Sequence, residues 1–499
     1  MFGTIADIVS KFKTLFISLL GVILLLLSLV NVTEIDKVVY KYAVVYVLLL
    51  IVSTLVLYRI ASRRFFLGGL IVFTLLLRIV WIILANTEPV SDFMLMNKAA
   101  NLILEGKLSE LKAIQYFNVW VYQLGYSVFC SFLYFIFGSN IFVVKLFNVL
   151  FSTGTVVIIY FIAAKIFNDK AARISSLLYA VYIQSIIFNS MLTNQVISAI
   201  FIYLGLLIII YKSKVGYYFM AGISIAIGHI MRPEGSFALY IIVIAIICNS
   251  IFGFIKSKKL SQEDGRNKRE NCIAIVSKIA VIVLTFNVVL QIFSYSLKAF
   301  DITEYDFGNR NPYWKFVLGL NKDTVGGYSN EDAEIFDKYP VGEQMYQVEK
   351  DMIRERTKNK TELIILIFKK FKIMWSSDDG SIGFIMPGTS FKQNIITYLV
   401  GIEKAQYTLI FFLSCLAIFF IIKGKDSSVY LYIIMLFIYG SFAIYSLIEI
   451  QTRYRYFIMP AFFILSGFGM YRANEFLVKY FLPKCKILED KQKGLRNKT

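Results

Sequence analysis

The chain has 499 residues, of which 58% are hydrophobic, 16% aromatic and only 17% charged, and its mean hydropathy is +0.67. Its apolar residues fall in long runs, so the composition implies an all-α polytopic membrane protein and excludes a soluble globular enzyme. The formal charge of +19 lies mostly in short loops between those runs, where the positive-inside rule accounts for it; membrane lipid is expected as a partner and nucleic acid is not.

Lys11 and Lys13 precede the first apolar run in the manner of a signal start, but no small-residue cleavage site follows, so the segment reads as a retained anchor. Runs able to span lie near 12–32, 40–58, 66–85, 141–166, 172–190, 192–211, 216–231, 236–255, 273–297, 405–423, 428–448 and 456–472. The segment 119–137 is interrupted by Gln123, Gly125 and Ser127 and stopped by Gly138. If it crossed, every later basic loop would fall on the wrong side, so it is expected to be half-inserted or to lie at the surface. The expectation is therefore about 12–13 transmembrane helices with interfacial amphipathic helices, in the cytoplasmic membrane, with both termini cytoplasmic.

This topology divides the chain into an extra N-terminal hairpin (1–65), a transmembrane core (66–297) with its first outer loop at 86–140, an extracytoplasmic loop domain (298–393), C-terminal transmembrane helices (394–472) and a basic cytoplasmic tail (473–499). The loop domain is too long to be a connector, and its stretch 361–375 reads as an interfacial helix. Five cysteines, Cys130, Cys248, Cys272, Cys415 and Cys485, show neither metal spacing nor a disulfide framework. With His229 the sole histidine, a histidine metal cage is excluded.

Polar residues that bear on chemistry gather in the outer loops. After the third apolar run, Pro89 stops the helix, and Ser91 or Asp92 can cap the next one, an amphipathic helix whose apolar face is Phe93, Met96, Ala99, Ala100 and Ile103. Asp92 is thus either a helix cap or a carboxylate held at the membrane surface to meet a charged substrate. Arg232 and Glu234 sit where an apolar helix breaks at Pro233; they make a site for an anion or a local ion pair that stiffens the turn. Glu449, Gln451, Arg453, Tyr454, Arg455 and Tyr456 form a second polar group. Its two arginines lie on the side where basic residues are unexpected, which points to an anionic partner or to lipid headgroups. Asp378 and Asp379 lack the spacing of a D-x-D pair and read as a solvated turn. No P-loop, GxGxxG, GxSxG or zinc motif occurs, so no nucleotide cofactor is expected.

Ser91-Asp92-Phe93 with Ala99-Ala100 and Glu105-Gly106 resembles the first outer loop of the lipid-donor, GT-C type integral membrane glycosyltransferases. The stretch from Gly125-Tyr126-Ser127 through Phe137-Gly138 to Lys145-Leu146-Phe147-Asn148 resembles their next segment. Arg232-Pro233, Arg453-Tyr454-Arg455 and Pro460 also resemble family positions. The likeness is to bacterial relatives of protein O-mannosyltransferases and aminoarabinose transferases, over about 66–472. It implies transfer of a sugar from a polyprenyl-phosphate donor to an acceptor hydroxyl on a cell-envelope glycan, lipid or protein, on the extracytoplasmic face and with inversion. Asp92 would be the base or a metal ligand. Arg232, Arg453, Arg455 and Lys98 would bind the donor phosphate, supported by Glu234, Glu449 and Tyr454. Many members carry an acid after the second outer turn, but here Thr193 is followed by Asn194, so the resemblance leaves a divalent cation open and names no metal ligand. Rival readings are a polysaccharide polymerase or ligase using lipid-diphosphate donors, and a lipid-linked sugar transporter.

The topology is checked by single cysteines introduced at positions 92 and 453. A membrane-impermeant thiol reagent is expected to label both from outside the cell; labelling only from the inside overturns the assignment.

Overall fold

The computed structural model describes residues 2–480 apart from 36, 38, 61, 261–264, 377, 378, 390 and 425–427. The described residues are almost wholly helical and build a polytopic membrane fold. In chain order the principal helices are α1 (Phe2–Thr33), α2 (Tyr40–Leu57), α3 (Arg63–Leu84), α4 (Asp92–Leu104), α5 (Leu124–Phe137), α6 (Ile141–Ile166), α7 (Asp169–Ala180), α8 (Gln195–Tyr211), α9 (Val215–Met231), α10 (Glu234–Leu260), α11 (Gly265–Ala299), α12 (Trp314–Gly319), α13 (Glu343–Arg356), α14 (Lys360–Ser376), α15 (Gln393–Lys423), α16 (Val429–Leu447) and α17 (Met459–Tyr480). Among the described residues, seven helices are long and apolar enough to cross a membrane. Helices α8 and α9 stand beside them as shorter apolar elements. The doubtful segment yields α5, 14 residues long; at about 1.5 Å per residue it falls short of a bilayer's hydrocarbon thickness.

The expected span at 172–190 is broken: Asp169–Ala180 and Ile183–Ser190 meet at a bend of 55°. Such a break leaves carbonyls without helical partners, and in lipid these must be satisfied by protein. The partner is Arg78, which the apolar pattern of α3 conceals. Fully buried, it donates from Nη1 to the Ala180 carbonyl at 2.8 Å, from Nε to Ser152 Oγ at 2.9 Å and from Nη2 to Ser185 Oγ at 3.2 Å. One guanidinium therefore ties α3, α6 and the bend together.

Close helix crossings rest on glycine. A Cβ on Gly125 would lie 1.9 Å from the Ile230 carbonyl oxygen, so α5 touches the end of α9 backbone to backbone. Gly469 of α17 meets the Leu413 carbonyl of α15 in the same way. Small residues let membrane helices approach this closely. The N-terminal hairpin joins the bundle through Gly21 against Ile418 and Gly401 against Val39. Glu34, just after α1, pairs with Lys372 at 3.0 Å and Lys404 at 3.4 Å.

Between α11 and α15 the chain folds into a unit with its own small core of Trp314, Val317, Leu318, Ile335 and Met345. Arg356 holds Asp332 with two bonds, at 2.7 and 3.0 Å. Helix α14 turns Ile364, Ile365 and Phe368 outward and buries Lys370, the reverse of a soluble helix and suited to a membrane surface. Lys370 Nζ donates to the carbonyls of Gly319 at 2.7 Å and of Ser446 and Ile448 at 2.9 Å, which locks α14 and α12 onto the end of α16.

Glu349 of α13 is fully buried; Asn311 Nδ2 donates to one carboxyl oxygen at 2.8 Å, and the other has no hydrogen-bond partner. Burial pushes this carboxyl from 4.5 up to about 7, against the lowering effect of Asn311. Over that window the folded protein keeps a proton that the unfolded chain releases. The stability is therefore fully present below it and lost as pH rises through it. Glu349→Gln is expected to flatten the pH dependence of thermal unfolding between these values. At pH 7.5 it should stabilise by on the order of 2–3 kcal/mol. An unchanged pH profile, read by thermal scans in detergent, refutes the assignment.

Candidate active site

Asp92 opens α4, and the residue before it, Ser91, has φ +54° with no side-chain hydrogen bond capping the helix. A non-glycine residue in that left-handed region costs on the order of 1 kcal/mol and persists where surrounding structure enforces it. The enforcement is visible. Glu88 N–H donates to the Pro387 carbonyl at 3.1 Å, Lys145 Nζ to the Thr87 carbonyl at 2.8 Å, and Thr87 Oγ1 to Ser190 Oγ at 3.1 Å. The face expected to be apolar is buried at Phe93, Met96, Ala99 and Ala100, while Ile103 is only partly covered. Asp92 Oδ2 faces Arg453 Nη2 at 3.9 Å, with the aspartate side chain 40% exposed and the arginine 6%. The cap reading therefore gives way to a carboxylate open to solvent beside a buried guanidinium.

Arg453 lies on the 3-10 turn Thr452–Phe457. Its Nε donates to Gln451 Oε1 at 2.7 Å, and its guanidinium covers Phe384 and Phe93 at 4.6 and 5.0 Å from the ring centroids. Arg232 reaches the same place from the end of α9. It pairs with Glu234, donates to Asn194 Oδ1 at 3.1 Å and lies 5.0 Å from the Tyr454 ring centroid. Arg453 lies 5.7 Å from that centroid. The local Arg232–Glu234 pair is thus real, and it also aims the guanidinium at Tyr454. Glu449 pairs with Lys315 of the loop unit and accepts from Gln451 Nε2 at 3.0 Å. Lys315 in turn donates to Tyr454 Oη at 3.4 Å. Burial opposes the Lys315 charge, but the oxygens of Tyr454 and Glu449 outweigh it and raise the ammonium above its ordinary value.

Asp92, Arg232, Arg453, Glu234, Glu449 and Tyr454 therefore converge on one site. Two expected residues do not. Lys98 is exposed and stands about 9 Å further along α4, a third of a turn away from Asp92. Arg455 points the other way because a 3-10 turn rotates about 120° per residue, so residues two apart cannot share a face. It is fully buried, 3.6 Å from Asp379 and 4.3 Å from the Tyr407 ring centroid, and donates from Nη1 to the Met374 carbonyl at 3.3 Å. Asp379 is buried rather than solvated, with its N–H donating to Glu403 Oε2 at 3.3 Å; Asp378 lies outside the described residues.

Sequence reasoning missed Lys315, Arg78 and the Tyr116–Gln123–Asn194 chain. Gln123 Nε2 donates to Tyr116 Oη at 2.9 Å, and Asn194 Nδ2 to the Met231 carbonyl at 3.1 Å. Burial, with Asp92 adding to it, holds the Tyr116 phenol well above its ordinary value. Lys145 and Asn148 carry no signal in the sequence beyond the family resemblance. They prove to be the residues of α6 that hold the first and second site loops, Asn148 by donating to the Met191 carbonyl at 2.8 Å.

Asp92, Glu234 and Glu449 each already face a cationic side chain. Asn194 offers an amide rather than a carboxylate. No group of three His, Cys, Asp or Glu among the described residues could hold a metal ion.

Residues 124–260 match the family model of dolichyl-phosphate-mannose-protein mannosyltransferases. That segment runs from the start of α5 through Asn194 and Arg232 and includes neither Asp92 nor Arg453. No curated protein matches the chain. Among solved structures it is similar to the Archaeoglobus fulgidus oligosaccharyltransferase in its apo form, at 13% identity and a TM-score of 0.48, over 85% of this chain and 52% of that one. It is also similar to the same organism's AglB bound to an inhibitory peptide and a dolichol-phosphate, at 14% identity and a TM-score of 0.46, over 86% of this chain and 52% of that one. The chain thus spans about half the length of those proteins.

Arg455→Met leaves Asp379 and Glu403 buried without their guanidinium. It is expected to destabilise by about 3–5 kcal/mol, measured by thermal unfolding in detergent. A folded variant of wild-type stability would show that Arg455 carries no structural charge.

Proposed function

We propose that this chain is a membrane glycosyltransferase that moves one hexosyl or pentosyl group from a polyprenyl-phosphate donor to an acceptor hydroxyl, at the extracytoplasmic face of the cytoplasmic membrane and with inversion. The observation that carries the reading is the pairing of a half-exposed Asp92 carboxylate with the buried Arg453 guanidinium at 3.9 Å, with Arg232 across the Tyr454 ring. The mannosyltransferase family match over 124–260 supports it from an independent direction.

In this reading Asp92 accepts the proton of the acceptor hydroxyl. The acceptor oxygen attacks the anomeric carbon, and the bond from that carbon to the phosphate oxygen breaks on the opposite face. The electron pair leaves with the lipid phosphate, which changes from a monoanionic diester to a dianionic monoester. Arg453 and Arg232, fixed by Gln451 and by Glu234 and Asn194, stand ready to meet that added charge without rearrangement. Arg455 and Lys98 have no part in this step.

Purified protein in liposomes, supplied with radiolabelled polyprenyl-phosphate sugars, is expected to consume one of them. Asp92→Asn should lower turnover by roughly 10²–10⁴-fold, and Arg453→Ala should lower it while the protein stays folded. Consumption of lipid-diphosphate donors alone, with Asp92→Asn still active, would favour a polysaccharide polymerase or ligase instead.

A further inference from the structure

The loop unit between α11 and α15 supplies one cation to the site, Lys315, and holds it there by several independent contacts. The Glu449 N–H donates to the Lys315 carbonyl at 2.7 Å, and the Ile450 N–H to the Gly326 carbonyl at 2.8 Å. Gly319, at the other end of α12, lies so close to the chain at 447–449 that a Cβ would come within 2.2 Å of the Leu447 carbonyl oxygen. Lys370 clamps the same junction. Trp314, next to Lys315, is buried against Phe336 with ring centroids 4.8 Å apart. The backbone that carries Lys315 is therefore tied to the end of α16.

Its side chain completes a pattern. Around the Tyr454 ring stand Arg232 at 5.0 Å, Arg453 at 5.7 Å and Lys315 at 5.8 Å from the centroid. Each faces a different carboxylate: Glu234, Asp92 and Glu449. The three come from three remote parts of the chain. Lys315 is the most accessible, with its side chain 33% exposed, against 15% for Arg232 and 6% for Arg453. An ammonium has three N–H donors, and Glu449 and Tyr454 engage two of those on Lys315. A purely structural lysine, present to neutralise buried Glu449, would have no need of Tyr454 or of an opening to solvent.

We propose that Lys315 is a third phosphate-binding residue, delivered by the loop unit, whose remaining N–H contacts the departing polyprenyl phosphate. This rests on the transfer reading above. As the bond between the anomeric carbon and the phosphate oxygen breaks, that oxygen takes the electron pair and gains the negative charge that Lys315 meets. A point charge on a flexible stem suits an oxygen whose position shifts during the step, while the two arginines hold the rest of the group. It follows that displacing the loop unit removes one of the three cations.

The test joins kinetics with protection of the unmodified protein. In wild type, at an alkaline pH and an excess of amine reagent that acylate Lys315 in the free protein, added polyprenyl phosphate, but not the neutral polyprenol, is expected to protect Lys315 from acylation, read by mass spectrometry. Lys315→Met should lower kcat by roughly 10²-fold and weaken inhibition by polyprenyl phosphate by about ten-fold. Lys315→Arg, which restores a cation, should recover most of both. Equal acylation with and without the phosphate overturns the proposal, and does so even if Lys315→Met fails to fold. So does a folded Lys315→Met with wild-type kcat and inhibition. Wild-type protein that consumes no polyprenyl-phosphate sugar refutes the transfer reading itself. Turnover by wild type with an indifferent Lys315→Met refutes only the role of the lysine.

Discussion

The arrangement on which the site depends is the ring of Tyr454 with three cations around it, each opposed by its own carboxylate. Like charges this close would repel strongly in a partly dry setting, and the repulsion is removed pair by pair rather than by a shared counter-ion. Asp92, Glu234 and Glu449 therefore have a common electrostatic task whatever else each does. The ring adds a polarised surface near the two arginines and a hydroxyl that accepts from Lys315. Remove the tyrosine or any one acid, and the remaining charges lose the reason to stay together.

Keeping those charges in place falls to residues that never touch them. Lys145 and Asn148 lie one turn apart on α6 and hold the carbonyls of Thr87 and Met191. One helix thus positions both the Asp92 loop and the loop that ends at Asn194. Arg78 secures the bend between α7 and the following turn, from which that second loop departs. On the opposite side, Lys370 fixes the end of α16 just ahead of Glu449. Lys145, Arg78 and Lys370 do this with a cation and Asn148 with a neutral amide; the Ala180 and Ile448 carbonyls held by Arg78 and Lys370 lie at helix ends, where the helix dipole and the orphan acceptors favour positive charge.

Much of this order is legible in the sequence, and the residues show where legibility stops. The apolar runs announce the helices because a lipid-facing helix has to be apolar along its length; the expected runs are helical apart from the break in 172–190, and among the described residues seven helices, rather than the 12–13 expected, are long and apolar enough to cross. Asp92, Arg232 and Arg453 stand out because charge at a helix break needs a reason. Lys315 gives no such signal: it is one lysine among many in a polar loop, and only the fold brings it beside Glu449. Arg78 is hidden for the opposite reason, since a single arginine barely changes the hydropathy of α3. Arg455 is grouped with Arg453 in the sequence because both are basic on the outer side, which says nothing of where each side chain points. Two residues apart lie on one face in a strand but about 240° apart in a 3-10 turn, and a six-residue stretch gives no periodicity from which to choose.

That last case explains how one short turn can serve two purposes. Thr452–Phe457 sends Arg453 toward Asp92 and Arg455 toward Asp379, so the segment is pinned from behind by a fully buried guanidinium while the other works at the front. The two arginines differ in setting more than in depth. Arg455 is closed in by Tyr407 and the Met374 carbonyl, and a ligand would have to displace buried partners to reach it. Arg453 shares its opening with a carboxylate that is 40% exposed, so an anion can approach without breaking the fold. In a membrane protein this division matters, because a guanidinium that is both mobile and unpaired at such depth would draw in water or lipid phosphate indiscriminately. In the transfer reading proposed above, fixing one arginine lets its neighbour be offered to the donor phosphate without loosening the turn.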